Sequence, residues 1–226
     1  MQKPYQIFIG CPYRKAIRKQ YDHLKTAIEA ETPLLLILAD TGQMTSAQYL
    51  LPHITEKIQD SVACIFEVAG GNPNVSLEVG IAHALPVDYL IAVNTRKPRT
   101  FLEKKAEKIA VNEGEVQPII ADLQGKVRIE YKAFDALKKQ VLSRYLHGLP
   151  FMQRWEKFRR EKSGLVPHAL KIFSEIRLHN RTSASRVNAI LEGTGIVRTD
   201  LTNALSKEKL IVVRKGPRGG YYYPSK

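Results

Sequence analysis

One stretch of the chain carries a carboxylate where a carboxylate is costly. Asn72-Pro73-Asn74-Val75-Ser76-Leu77-Glu78-Val79-Gly80-Ile81-Ala82-His83-Ala84-Leu85 opens with an N-cap asparagine and a proline suited to the first helical position, so it predicts a helix. At about 100° per residue, Ser76, Gly80 and His83 form the only polar arc. Glu78 falls on the apolar side, flanked by Ile81, Ala82 and Leu85. A buried carboxylate is expensive unless partners satisfy it, and proteins keep such groups mostly to pair them or to use them. Glu78 is therefore either a functional carboxylate or one tied to a nearby arginine or backbone amide. His83 lies on a different arc and reads as structural.

Other chemistries find little support. The six histidines, at positions 23, 53, 83, 147, 168 and 179, have no metal-like spacing. Cys11 and Cys64 read as reduced core thiols. No Gly-x-Ser-x-Gly elbow or P-loop occurs, and Gly70-Gly71 is not a Gly-x-Gly-x-x-Gly fingerprint. No metal and no cofactor are expected.

The elements around Glu78 alternate. Apolar runs at 5–10, 34–39, 62–66, 89–93 and 127–131 predict strands. Helices are expected over 14–31, with Ala16, Ile17, Tyr21, Leu24, Ala27 and Ile28 on one side, and over 46–59, with Pro52 a candidate interruption. A further helix follows from 134 to about 146. Near-continuous apolar strands alternating with helices indicate a parallel sheet covered on both faces, an α/β domain. Ligands of such sheets sit beyond the carboxyl ends of the strands, which selects residues 10–14, 40–43 and 67–74. Residues 96–118 are charged and irregular, with a short helix expected over 101–110.

The remainder differs in charge. The chain has 226 residues and a net charge of +13, but residues 151–226 hold 16 Lys and Arg against 6 Asp and Glu. Such asymmetry suggests a polyanion partner, against the alternative of a solvated basic surface. His147-Gly148-Leu149-Pro150 marks a domain edge, followed by a charged connecting helix over 151–162. Helices at 167–179, 183–192 and 198–207 precede a strand, a glycine-rich tip and a return strand over 210–223. Hydrophobic residues make up 44%, enough for a packed core. No apolar run approaches the roughly 20 residues that span a bilayer, and no signal peptide is seen, so a cytoplasmic protein with no membrane partner is expected.

These residues carry two resemblances. Ile65-Phe66-Glu67, Asn72-Pro73-Asn74-Val75 and Glu78-Val79-Gly80-Ile81-Ala82-His83-Ala84-Leu85 resemble the signature of the nucleoside 2-deoxyribosyltransferase-like and TIR-like nucleotide-binding proteins. Ile7 to Tyr13, Ala39-Asp40, Asp122-Leu123 and Ile129-Glu130-Tyr131 are similar to other parts of that pattern, which covers roughly residues 5–146. The resemblance implies a flavodoxin-like fold that splits or transfers an N-glycosidic bond, with Glu78 attacking the sugar or steadying its cation. It also implies substrate contacts from Gly10, Pro12, Tyr13, Arg14, Asp40, Glu67 and Asn74. Tyr13 and Arg14 would hold a phosphate or stack on a base, or Arg14 is an ordinary surface residue. Asp40 would accept from a ribose hydroxyl or base amine, or cap its loop. Asn74 would touch ligand or brace the turn. Glu67 stands where the group has aspartate, one methylene shorter. Leu85-Pro86-Val87-Asp88 replaces the family's Gly-Lys.

Residues 165–225 resemble the winged helix-turn-helix family. Arg198, Thr199, Thr202 and Asn203 would then face bases or phosphates, and Arg214, Lys215 and Arg218 would meet phosphates. The tyrosines at 221–223 read as packing residues. The expected organisation is an α/β domain at 1–148, a linker helix at 149–164 and a winged helix at 165–226. The functional expectation is an N-glycosidase or deoxyribosyltransferase-like enzyme acting on a nucleoside or nucleotide, NAD included, tethered to nucleic acid. By fold-level analogy it suits a prokaryotic antiviral defence effector, working as a homo-oligomer or within a larger complex. The alternatives are a nucleotide-sensing transcriptional regulator without turnover, and an assembly subunit that only binds other macromolecules.

Overall fold

The computed structural model describes residues 2–39, 47–95, 127–216 and 219–224. Five strands form one sheet: β1 (Lys3–Gly10), β2 (Leu35–Leu38), β3 (Ser61–Glu67), β4 (Asp88–Asn94) and β5 (Val127–Tyr131). Their order is β2-β1-β3-β4-β5 and every neighbouring pair is parallel. This is the flavodoxin-like order, in which the direction of winding reverses between β1 and β3. The helices are α1 (Lys15–Glu31), α2 (Ala47–Asp60) and α3 (Pro73–Ala84), with α4 (Phe134–Arg144) after β5. α2 continues through Pro52 as a single helix. That proline lies in the second turn, where it forfeits one backbone hydrogen bond to the turn before it.

The two-residue period of each strand divides the core. Ile7, Ile9, Ala63, Ile65, Leu90 and Ala92 pack with Tyr21, Leu24 and Ile28 of α1 and Leu137 and Val141 of α4. Phe8, Cys64, Phe66, Tyr89 and Ile91 pack with Ile54 and Ile58 of α2 and Val75, Val79 and Ala82 of α3. Helices on both faces explain why the strands read as apolar throughout and not as alternating. Cys11 and Cys64 are both free and buried.

Beyond α4, the chain passes through a short 3-10 turn (Leu146–Gly148) into α5 (Pro150–Glu161), then α6 (Val166–His179), α7 (Ala184–Leu191) and α8 (Arg198–Lys207). An antiparallel hairpin of β6 (Val212–Arg214) and β7 (Gly220–Tyr222) follows. The Ser183 side chain accepts from the Arg186 N–H and caps α7. The charge read along α5 lies on its outer side. Its inner side buries Phe151, Met152, Trp155 and Phe158 in the same apolar cluster that lines the α1 face of the sheet.

Two side chains fasten the C-terminal helices and hairpin to the sheet. Tyr223 stacks on Tyr5 with ring centroids 3.9 Å apart and on Phe173 at 5.7 Å, and its hydroxyl donates to Pro33 O at 2.7 Å. Arg177 of α6 donates to Glu29 O at 2.8 Å and to Thr32 O and Leu34 O at 3.3 Å. A guanidinium at the carboxyl end of α1 also matches the negative pole of that helix. The expected helix at 101–110 lies outside the described residues. Among those residues, no helix is long and apolar enough to cross a membrane.

Candidate functional site

α3 places Glu78 by a well-formed start. The Asn72 side chain accepts from the N–H groups of Asn74 (3.0 Å) and Val75 (3.3 Å), and Pro73 occupies the first turn. The turn before it holds Gly70 at φ 79° and Gly71 at φ 61°, a left-handed pair that other residues adopt at a cost. From this start, Val75, Glu78, Val79 and Ala82 face inward, while Gly80 and His83 face solvent. His83 meets the Tyr89 hydroxyl at 3.0 Å, in keeping with a structural role.

Glu78 is 4% exposed, and among the described residues its Oε2 has no hydrogen-bond partner. It lies over Gly10, the last residue of β1. A Cβ built on Gly10 would overlap Glu78 Oε2 and come within 2.6 Å of Phe66 Cδ1. Gly10 and Phe66 are register partners on β1 and β3. The carboxylate therefore sits at the carboxyl ends of the two strands between which the winding reverses, where sheets of this order bind ligands. Burial alone pushes its pKa up to about 7. The nearby Cys11 thiol is pushed up to about 12, first by burial, with Arg18 opposing and Glu78 adding to the rise.

Glu67 is equally buried but fully engaged. Its Oε2 accepts from the hydroxyls of Tyr21, at 2.9 Å, and Tyr131. Its Oε1 accepts from Ala69 N at 3.0 Å and Asn94 N at 3.2 Å. Desolvation raises its pKa against the lowering effect of these donors. Glu67 thus ties the ends of β3, β4 and β5 to α1. The sequence placed Tyr21 on the apolar side of α1 without identifying its partner; a buried tyrosine hydroxyl that must find an acceptor was the available signal.

The other expected substrate contacts divide. Pro12 is buried in the turn after β1, Arg14 is exposed at the N-cap of α1, and Asn74 is exposed in the first turn of α3. The Tyr13 hydroxyl donates to Ala39 O at 3.2 Å. Arg18, which the sequence did not single out, donates to the same carbonyl at 2.6 Å. Asp40 and Asp122 lie outside the described residues.

In the C-terminal part, Thr199 and Asn203 are exposed on α8, and Lys215 and Arg214 are exposed on the hairpin. The Arg214 guanidinium stands 4.8 Å from the Tyr222 ring centroid, and Arg198 donates to the Tyr221 hydroxyl at 3.2 Å. Thr202 departs from its expected outward orientation. It is 4% exposed, and its hydroxyl donates to Arg198 O at 3.0 Å, because it shares the inner side of α8 with Leu201 and Leu205. Arg218 lies outside the described residues.

No protein-family model matches the chain, and no curated protein matches it in sequence. Among solved structures it is similar to a conserved protein from Enterococcus faecalis V583, at 13% identity and TM-score 0.44, over 64% of this chain and 99% of that one. It is also similar to a 2-desoxiribosyltransferase from Leishmania mexicana, at 17% identity and TM-score 0.46, over 63% of this chain and 100% of that one.

Proposed function

We propose that the chain breaks or transfers the N-glycosidic bond of a nucleoside or nucleotide, with Glu78 as the carboxylate at the sugar. The observation that carries this reading is the buried Oε2 of Glu78, which has no partner among the described residues and lies over Gly10 at the carboxyl ends of β1 and β3. As the bond breaks, the base leaves with the bonding pair and takes up a proton. Positive charge develops at the anomeric carbon. An oxygen already stripped of water is poised to balance that charge or to bond to the carbon, as carboxylates do in glycoside cleavage. Water or a second base then completes hydrolysis or transfer. The developing cation itself favours the ionised carboxylate, so a resting pKa near 7 is no obstacle. Glu67 braces the strand ends, its oxygens being taken by the protein's own donors.

The three helices and hairpin after α5 fit a winged-helix arrangement that would hold nucleic acid. The exposed Thr199, Asn203, Arg214 and Lys215, and the basic excess of residues 151–226, support that part of the reading. The test of the catalytic claim is release of free base. The protein and its Glu78→Gln variant are incubated with NAD, deoxynucleosides and deoxynucleotides, with and without added nucleic acid. Base release by the unaltered protein alone is expected. No release by either, or equal release by both, ends the proposal.

A further inference from the structure

The two edges of the sheet are finished differently. At the β2 edge, side chains occupy the outward backbone groups. The Glu29 carboxylate accepts from Leu36 N at 2.8 Å, Lys25 donates to Leu36 O at 2.6 Å, and Arg177 donates to Leu34 O at 3.3 Å. Such cover keeps an edge strand from pairing with another chain. At the β5 edge, Tyr131 O accepts from Thr95 N on the β4 side. Backbone groups alternate in direction along a strand, so Arg128 and Glu130 turn their N–H and C=O groups outward. Gln140 donates to Glu130 O at 3.2 Å from that side. The Arg128 N–H, the Arg128 C=O and the Glu130 N–H have no partner among the described residues.

The side chains on this edge form a self-complementary pattern. Arg128 and Glu130 lie on one side of the strand, 2.8 Å apart, and both are exposed. Ile129 and Tyr131 turn to the opposite side and join the core. Reversing the strand about Ile129 exchanges Arg128 with Glu130. Two antiparallel copies centred there set each arginine against a glutamate on a shared face. The same register brings the outward N–H groups of one copy against the outward C=O groups of the other. A shift by one residue loses those backbone bonds, and a shift by two sets Arg128 against Arg128 or Glu130 against Glu130. Charge at a sheet edge usually keeps edges apart, but this pattern repels only in the wrong registers.

We propose that the open edge of β5 pairs antiparallel with β5 of a second copy of this chain, about a two-fold axis at Ile129, so that two sheets become one. Arg128 and the partner's Glu130 exchange both backbone hydrogen bonds and form an ion pair, and the axis repeats this on the other side of Ile129. Val127, an apolar residue 41% exposed at the start of the strand, is covered opposite the partner's Tyr131. The pairing is independent of the glycosidic reading of Glu78, which lies over β1 and β3.

Sedimentation velocity of the full chain over a range of concentrations tests the proposal. A reversible species of two 25.6 kDa chains is expected. Arg128→Glu alone, or Glu130→Arg alone, sets like charges across the axis twice and should weaken the dimer about tenfold or more. The double exchange, Arg128→Glu with Glu130→Arg, restores both pairs and should restore the dimer. Mixing the two single variants should also yield a dimer as tight as the parent, a recovery that misfolded chains cannot give. Glu130→Pro removes an outward N–H that the β4 ladder does not use, which an edge strand tolerates, and should leave a folded monomer. A chain that stays monomeric up to about 1 mM overturns the proposal. So does a dimer that the single reversals leave as tight as before, or single variants that fail to recombine when mixed.

Discussion

Replacing Glu78 by glutamine should make the protein more stable while making it inactive. Burial raises the Glu78 pKa from the ordinary 4.5 to about 7, and among the described residues Oε2 has no compensating partner. A carboxyl whose pKa is raised by folding contributes fully to stability below its unfolded value, and that contribution is lost as pH climbs through the folded value. At about 1.36 kcal/mol per pH unit, the displacement amounts to about 3 kcal/mol once the group is ionised in both states. Glutamine keeps the shape and carries no charge to desolvate. The difference in unfolding free energy between Glu78→Gln and the unaltered protein should therefore be near zero below about pH 4.5. It should grow between about pH 4.5 and 7 and level off at about 3 kcal/mol in favour of the variant. Urea unfolding followed by tryptophan fluorescence at pH 5, 6, 7 and 8 measures it, since Trp155 is fully buried. A difference that stays flat across this range, or a variant less stable than its parent at pH 8, would refute the argument that Glu78 is held against a desolvation penalty.

Four further variants probe particular contacts. Gly10→Ala drives a methyl into Phe66 and Glu78 Oε2, so it should cost about 1–3 kcal/mol in chemical denaturation and abolish base release. Tyr223→Phe removes only the hydroxyl that donates to Pro33 O and should cost about 1 kcal/mol, whereas Arg177→Met frees three carbonyls and should cost about 2 kcal/mol or more. Alanine at both Arg214 and Lys215 should weaken nucleic-acid binding about equally for all sequences, lowering the slope of log affinity against log salt by about 2 in a fluorescence anisotropy titration.

What the sequence revealed and what it hid divide along the range of the interactions. The strands, the Asn72-Pro73 start of α3 and the inward direction of Glu78 all follow from neighbours within a few residues. Periodicity and capping reach that far. The expected ends of helices and strands lie within about two residues of those observed. The role of Gly10 stayed hidden because it is set by Glu78 and Phe66, brought beside it only when β1, β3 and α3 assemble. Glu67 shows the same limit. Its tyrosine partners lie 46 and 64 residues away, so a carboxylate expected at substrate is found gripped by the protein itself. Thr202 looked outward because polar residues usually do, yet a hydroxyl that bonds a carbonyl one turn back on its own helix can be buried at little cost.

The clasp made by Tyr223 bears on how the molecule is born. Pro33, whose carbonyl it meets, precedes it by 190 residues. At about 5–20 residues per second, a ribosome needs about 10–40 seconds to cover that distance. Throughout that interval the aromatic surface around Tyr5, and later around Phe151 and Phe173, waits for its cover. A nascent chain of this protein thus shows chaperones a sticky aromatic face until translation reaches the hairpin, and stalling a little short of Tyr223 should leave it bound to them.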